Sequence, residues 1–320
     1  MESFLSRIDI KDSLEDLLIR VAEAYKLGNI QSHSMLPDGY QELNLLLITT
    51  AGRNIIKIFS KEKSLKRIQD NIWGFTTFRK QSVPMPTLRR TVDNEYLLPV
   101  AGIRKISYLC VMEFCDGKYL QSTDATDQDL VHLTRYMAII HANNNRIGRY
   151  YDTMGIANFP SQFKKFNRYL SEVDHRLLSS VVNQFSSLPL KRFRKCVIHG
   201  TFESENILKH GEGLSLLDLG CMDFNAAVFD LATFLSNFTL DLPFQEKHRR
   251  LSLIAKQYQQ SLPLSQAEID ALPTLVRTQY ATIYLRTNYY QTKLRDNSKQ
   301  TTSWHRRARR GLKQWSIITP

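Results

Sequence analysis

Apolar residues Leu14, Leu17, Leu18, Val21 and Ala22 recur at intervals of three and four. That spacing gathers them on one face of a helix over residues 12–27, and Ser13 stands where a capping side chain belongs. The period then changes. Leu43 to Thr49 and Asn54 to Phe59 are short apolar runs on either side of Thr50-Ala51-Gly52-Arg53, which reads as a hairpin with a glycine in its turn. Residues 64–80 read as a helix, stopped before Val83-Pro84-Met85-Pro86 because proline pushes the preceding residue toward extended backbone. Glu95 to Val100 and Ile106 to Phe114 read as two further strands. The first third of the chain is therefore a small antiparallel sheet with one helix.

From Asp127 onward the pattern is mostly helical. Leu130, Leu133, Met137, Ile140 and His141 mark one helix, and Phe163 to Gln184 mark another. Short strands return at 195–198, 207–209 and 214–219, followed by helices over 229–240, 246–260, 265–272, 274–292 and 302–317. No internal repeat or low-complexity segment interrupts this order. The boundary falls near Asp116-Gly117, where a glycine follows an apolar strand. The expectation is an α+β protein of two lobes, 1–116 and 117–320.

Residues 196–206, Cys-Val-Ile-His-Gly-Thr-Phe-Glu-Ser-Glu-Asn, carry the candidate chemistry. His199, Gly200 and Asn206 lie in this loop, Asp218 follows in Leu216-Leu217-Asp218-Leu219, and Asp230 follows in Phe229-Asp230-Leu231-Ala232. This constellation resembles the catalytic loop of the phosphotransferase family that includes aminoglycoside phosphotransferases, choline kinase and methylthioribose kinase. Gly39–Asn44, Ile56-Lys57-Ile58, Val83-Pro84-Met85-Pro86, Val111–Gly117 and Leu264–Ile269 extend the likeness over nearly the full length. Within the family it is closest in appearance to the bacterial homoserine kinase group.

The resemblance implies a two-lobed protein-kinase-like fold that uses ATP and Mg²⁺ to phosphorylate a hydroxyl of a small molecule, an amino alcohol or an amino acid such as homoserine. It implies that Lys57 holds the nucleotide phosphates, that backbone near Gly39 approaches them, and that Glu113 and Phe114 end the strand where adenine is met. Asn206 and Asp218 would hold Mg²⁺, an ion that wants hard oxygen donors and keeps several waters. His199 would pack under the loop, and Asp230 would fix the loop backbone. Lys57 pairs either with Asp70, the single acid of residues 64–80, or with no acid on that helix.

One position departs from the pattern. Thr201 stands where the family carries the Asp that accepts the hydroxyl proton, and threonine cannot act as a carboxylate. General-base catalysis typically contributes about 10²–10⁴-fold, so the loss is large without removing the gains from positioning and metal electrostatics. Three outcomes stay open. Glu203 or Glu205 replaces the lost group, the protein uses Mg-ATP for another transfer or as a signal, or it is a catalytically inactive pseudokinase serving as a nucleotide-binding regulatory or interaction module. Candidate acceptor residues are Asp223 and Asn225, with Arg277, Arg286 and Tyr290 on the long helix. Arg277 and Arg286 are nine residues apart, on opposite helix faces, so both cannot point at one ligand. His141 reads as a packing residue.

Charge narrows the picture further. Part of the net charge of +12 is concentrated late, in Lys293, Arg295, Lys299, Arg306, Arg307, Arg309, Arg310 and Lys313, with only Asp296 opposing. The working reading is a solvated face opposite the stripe Trp304, Ala308 and Leu312. Contact with nucleic acid or an anionic surface is the alternative. A basic protein is a poor host for a polycationic acceptor. No apolar run is long enough for a membrane span, the N-terminus lacks a secretory pattern, and the four cysteines form no Cys-x-x-Cys pair. A cytoplasmic location is expected.

Overall fold

The computed structural model describes residues 8–36, 42–145 and 147–315. The chain divides into two compact units, Met1–Lys118 with Leu208–Leu217, and Tyr119–Ile207 with Asp218–Pro320. Among the described residues no helix is long and apolar enough to cross a membrane.

The first unit is built on a five-stranded antiparallel sheet of order β1-β2-β3-β5-β4. Its strands are β1 (Ile30–Met35), β2 (Leu43–Thr49), β3 (Gly52–Ile58), β4 (Leu97–Val100) and β5 (Ser107–Glu113). Alternation dictates its buried face: Leu43, Leu45 and Leu47 of β2, Ile56 and Ile58 of β3, and Leu109 and Val111 of β5 are all buried. Leu17, Leu18 and Val21 of helix α1 (Leu14–Ala24) join the same core. Ser13 caps α1, its Oγ accepting from Asp16 N at 3.1 Å. Helix α2 (Leu65–Lys80) is capped by Ser64 and ends before Val83-Pro84, as expected. Strand β1 was not expected, since Ile-Gln-Ser-His-Ser-Met shows no alternation and is largely exposed. It is an edge strand, specified by its pairing with β2 rather than by burial.

Past the short strand β6 (Lys118–Tyr119), the second unit is helical: α3 (Asp127–His141), α4 (Phe159–Phe166), α5 (Glu172–Ser186), α6 (Ala227–Phe238), α7 (Phe244–Ser261), α8 (Gln266–Lys293) and α9 (Lys299–Trp315). Strand β7 (Lys195–Ile198) pairs antiparallel with β10 (Asp223–Ala226), which the sequence pattern did not reveal. Strands β8 (Ile207–His210) and β9 (Gly213–Leu216) form a hairpin, and Leu216 N donates to Pro84 O at 2.7 Å, tying this return of the chain to the first unit.

Two helical expectations are corrected. The single helix over 163–184 is two, because Ser171 accepts from Asp174 N at 3.2 Å and starts a fresh helix. The helices over 265–272 and 274–292 are one, with Pro273 inside it. Proline removes one backbone bond, but Ala271, Leu272, Leu275 and Val276 on both sides are buried, and their packing carries the helix through. Every residue of α6 is buried, so it is the central helix of this unit.

Helix α9 packs closely on α8 at Gly311, where an added Cβ would lie 2.3 Å from the buried Tyr280 ring. Gly311→Ala is therefore expected to cost about 1–3 kcal/mol through overpacking, read as a lower denaturant midpoint. A midpoint at or above wild type would show that α9 shifts without penalty.

Candidate active site

In the first unit Lys57 sits mid-strand on β3 and is 5% exposed. Its Nζ lies 2.5 Å from Glu42 Oε2, and Lys63 Nζ reaches the other oxygen of the same carboxylate. Asp70, the acid considered from sequence, is bridged by Lys66 one helical turn earlier. An acid that meets Lys57 is therefore Glu42, which precedes β2 and lies outside the following helix. Register would have found it: Asn44 pairs with Lys57, so Glu42, two residues before Asn44, faces the same side as Lys57. At the end of β5, Glu113 N donates to Thr87 O at 2.9 Å and Phe114 N to Arg53 O at 3.3 Å, with the Arg53 guanidinium 4.7 Å above the Phe114 ring. Gly117 has φ +141°, and a Cβ there would meet Lys209 O at 2.9 Å, so the chain needs glycine at this crossing. Gly39 lies outside the described residues.

In the second unit the loop after β7 hangs from one carboxylate. Asp230, on the first turn of α6, is 1% exposed. Its Oδ2 accepts from His199 N at 2.7 Å and its Oδ1 from Gly200 N at 2.9 Å. His141 Nε2, at 3.0 Å, completes the set. His141 Nδ1 lies 2.7 Å from Tyr258 Oη, which also accepts from Arg194 Nη2 at 2.6 Å. A guanidinium cannot accept, so the tyrosine hydrogen goes to Nδ1 and the Nε2–H faces Asp230. Burial alone would raise the Asp230 carboxyl; the His141 bond and the Gly200 N–H outweigh it and hold the group below the ordinary carboxylate range.

Gly200 has φ +88°, and a Cβ would lie 2.2 Å from Cys221 O. The half-buried Thr201 follows, its carbonyl accepting from Glu203 N at 2.9 Å and from Asn206 Nδ2 at 2.9 Å. That bond commits one Asn206 amide N–H to the loop and orients the side chain, leaving its Oδ1 as a hard oxygen donor. Asp218 follows β9 with φ +54°, and its Oδ1 accepts from Gly220 N at 2.9 Å. The left-handed backbone ends the strand sooner than the sequence pattern implied. One amide oxygen and one carboxylate match the donor chemistry that Mg²⁺ prefers. Among the described residues no cluster of three or more His, Cys, Asp or Glu forms an alternative metal site.

The loop carboxylates differ in setting. Glu203 is half-buried, with Asn237 Nδ2 at 3.5 Å from its Oε2. Burial first, and the charge of Glu205 second, push its carboxyl up to about 7 against the pull of Arg307. Glu205 is exposed and accepts from Trp304 Nε1 at 2.9 Å.

These elements recur in a known family: residues 34–260 match the phosphotransferase enzyme family. The chain belongs to it. A homoserine kinase of Sinorhizobium medicae (strain WSM419) is 24% identical over 276 residues, spanning 83% of this chain and 81% of that protein. Among solved structures, an amicoumacin kinase in complex with AMP-PNP and Ca²⁺ aligns with a TM-score of 0.72 at 15% identity, covering 97% of this chain and 96% of that one. A microcompartment-associated aminopropanol kinase aligns with a TM-score of 0.65 at 16% identity, covering 94% and 96%. The fold is thus the kinase-like one of this phosphotransferase family, with an antiparallel-sheet N-lobe and a helical C-lobe.

The acceptor candidates of this family member differ in their partners. Arg277 donates to Gln184 on α5 at 3.0 Å, whereas Arg286 is buried, donates to Gln162 at 3.2 Å and to Tyr290 Oη at 2.9 Å, and stacks 4.6 Å over Phe166. The two arginines of α8 thus meet different partners, Gln184 on α5 and Gln162 on α4. Asp223 is buried, accepting from Tyr150 N at 2.9 Å and from Asn225 Nδ2 at 3.0 Å. Asp152, which no sequence pattern marks, joins them electrostatically. Burial and the charge of Asp223 raise its carboxyl, and Arg286 opposes them. It lies between secondary-structure elements, where no pattern marked it.

Proposed function

We propose that the protein transfers the γ-phosphate of ATP to a hydroxyl of a small amino alcohol or an amino acid such as homoserine, in the cytoplasm. The observation that carries this reading is the loop His199–Asn206, hung from Asp230 and closed by the Asn206–Thr201 bond. Lys57, held by Glu42, would contact the phosphates, and the backbone at Glu113–Phe114 would meet adenine. On this reading residues 1–116 serve the nucleotide and residues 117–320 serve the metal and the acceptor. Asn206 and Asp218 would hold Mg²⁺, which neutralises charge on the phosphate oxygens when bound. Asp223 and Arg286 would border the acceptor. The named relatives, kinases of homoserine, aminopropanol and amicoumacin, support the small-molecule class.

Thr201 supplies no base, and Glu203 takes that role. A carboxyl near 7 suits proton transfer at neutral pH. The rate is then expected to rise with pH through a midpoint near 7, and Glu203→Gln should abolish that limb and lower kcat/KM by about 10²-fold. Stability moves the opposite way. The folded-state value lies above the ordinary 4.5, so this carboxyl's contribution is fully present below 4.5 and lost as pH rises through about 7. Glu203→Gln should therefore gain stability over wild type at alkaline pH, measured by thermal unfolding across pH. An unchanged pH–rate profile would remove Glu203 from the chemistry.

The absence of an acid at Thr201 favours a second reading, an inactive pseudokinase that binds nucleotide as a regulatory or interaction module. Phosphorus NMR with Mg-ATP and a pool of amino alcohols and amino acids separates the two. A phosphomonoester formed by wild type and lost in Asp218→Asn supports the kinase. Product appearing only in Thr201→Asp supports the pseudokinase.

A further inference from the structure

The second unit contains a groove of about 1100 Å³ that the proposed transfer does not use. One wall is helix α9. Others are the segment Tyr119–Ser122, the turn Leu240–Asp241, and Ser204 and Glu205 of the loop. Thr201, Asn206 and Asp218 do not line it. Six cations do, Lys299, Arg306, Arg307, Arg309, Arg310 and Lys313, against two carboxylates, Glu205 and Asp241.

Helix α9 buries Ala308, Gly311, Leu312 and Trp315, so its cations fall on the remaining surface. A merely solvated face would be convex, whereas these side chains border a concavity. Arg310 meets Asp241 at 3.0 Å, and Arg307 donates to Asn237 Oδ1. Among the described residues, Lys299, Arg306 and Arg309 have no carboxylate partner.

We propose that this groove binds a small molecule bearing two or more phosphate groups. Guanidinium forks match phosphate oxygens in pairs. At a rise of about 1.5 Å per residue, Arg306 and Arg310 stand about 6 Å apart along the helix, and Lys299 and Arg306 about 10 Å. A single carboxylate meets one such cation, while a di- or triphosphate spans several. The concavity has the size of a small-molecule site, which a flat anionic membrane would not fill. Occupancy also bears on the loop: Asn237 Oδ1, bonded by Arg307, accepts from Ser204 N at 3.3 Å, and Trp304 holds Glu205.

The test is calorimetric titration of the full chain with metal-free tripolyphosphate, which needs no turnover and so stands apart from the transfer assay. Four proteins are compared: wild type, Arg306→Gln/Arg309→Gln, Lys57→Met, and the control Arg135→Gln/Lys256→Gln, two exposed cations elsewhere on the same unit. Thermal unfolding checks that each is folded. The expected result is saturable binding, weakened about tenfold or more in Arg306→Gln/Arg309→Gln and retained in the other two variants. An equal loss in the control pair would reduce the effect to bulk charge, and a loss confined to Lys57→Met would place the ligand at the nucleotide phosphates. No binding by wild type, or tighter binding of a single-stranded oligonucleotide that depends on the same arginines, overturns the proposal too.

Discussion

Asp218→Asn is expected to lower kcat by about 10²–10³-fold or more while leaving the unfolding midpoint close to wild type. The choice of asparagine rests on the backbone. Asp218 has φ +54°, a conformation that asparagine tolerates and alanine does not. Its Oδ1 accepts from Gly220 N at 2.9 Å, a bond an amide oxygen also makes. What the substitution removes is the negative charge, the property a divalent cation needs. In phosphoryl transfer the protein supplies positioning and charge neutralisation rather than covalent chemistry, so this loss falls on the transition state. Initial rates at several Mg²⁺ concentrations check it. A variant retaining more than about a tenth of the wild-type rate at saturating Mg²⁺ would take Asp218 out of the metal site.

The same residues explain how far the sequence could be read. His199, Gly200, Asn206, Asp218 and Asp230 were legible because their spacing is set by a loop, a hairpin and a helix start, all local. Strands β2, β3 and β5 were legible as short apolar runs; β2 alternates cleanly between buried and half-buried residues, whereas β3 also buries Lys57 and β5 also buries Cys110 and Met112. Strand β1 was silent because an edge strand with polar side chains is specified by its neighbour's backbone. Pro273 and residues 167–171 misled for opposite reasons. Burial on both sides overrode a helix breaker, and the cap Ser171 cut a continuous apolar pattern. The roles of Glu42 and Asp152 and the contact of Arg307 were invisible because their partners, Lys57, Arg286 and Asn237, are distant in sequence or set by strand register.

Asp230→Ala should cost about 3–5 kcal/mol of stability, the range for removing one partner of a buried charge network. The carboxylate accepts three hydrogen bonds, from His141 Nε2 and from the backbone N–H groups of His199 and Gly200. Alanine leaves all three donors facing an apolar gap, where water cannot replace the lost acceptor. Asp230→Asn does not rescue them, since one of its two terminal atoms is a donor pointed at other donors. His141→Ala should cost less than Asp230→Ala, because both backbone N–H groups keep their carboxylate. pH adds an independent check. The Asp230 carboxyl is held below its ordinary value, so its contribution is present above 3.8 and lost as pH falls through the lowered folded-state value. Wild type should therefore lose stability on acidification in a way that Asp230→Ala does not. Chemical denaturation of the three variants from neutral to acid pH measures both effects, and an Asp230→Ala cost below about 1 kcal/mol would mean that the loop is held by something other than this carboxylate.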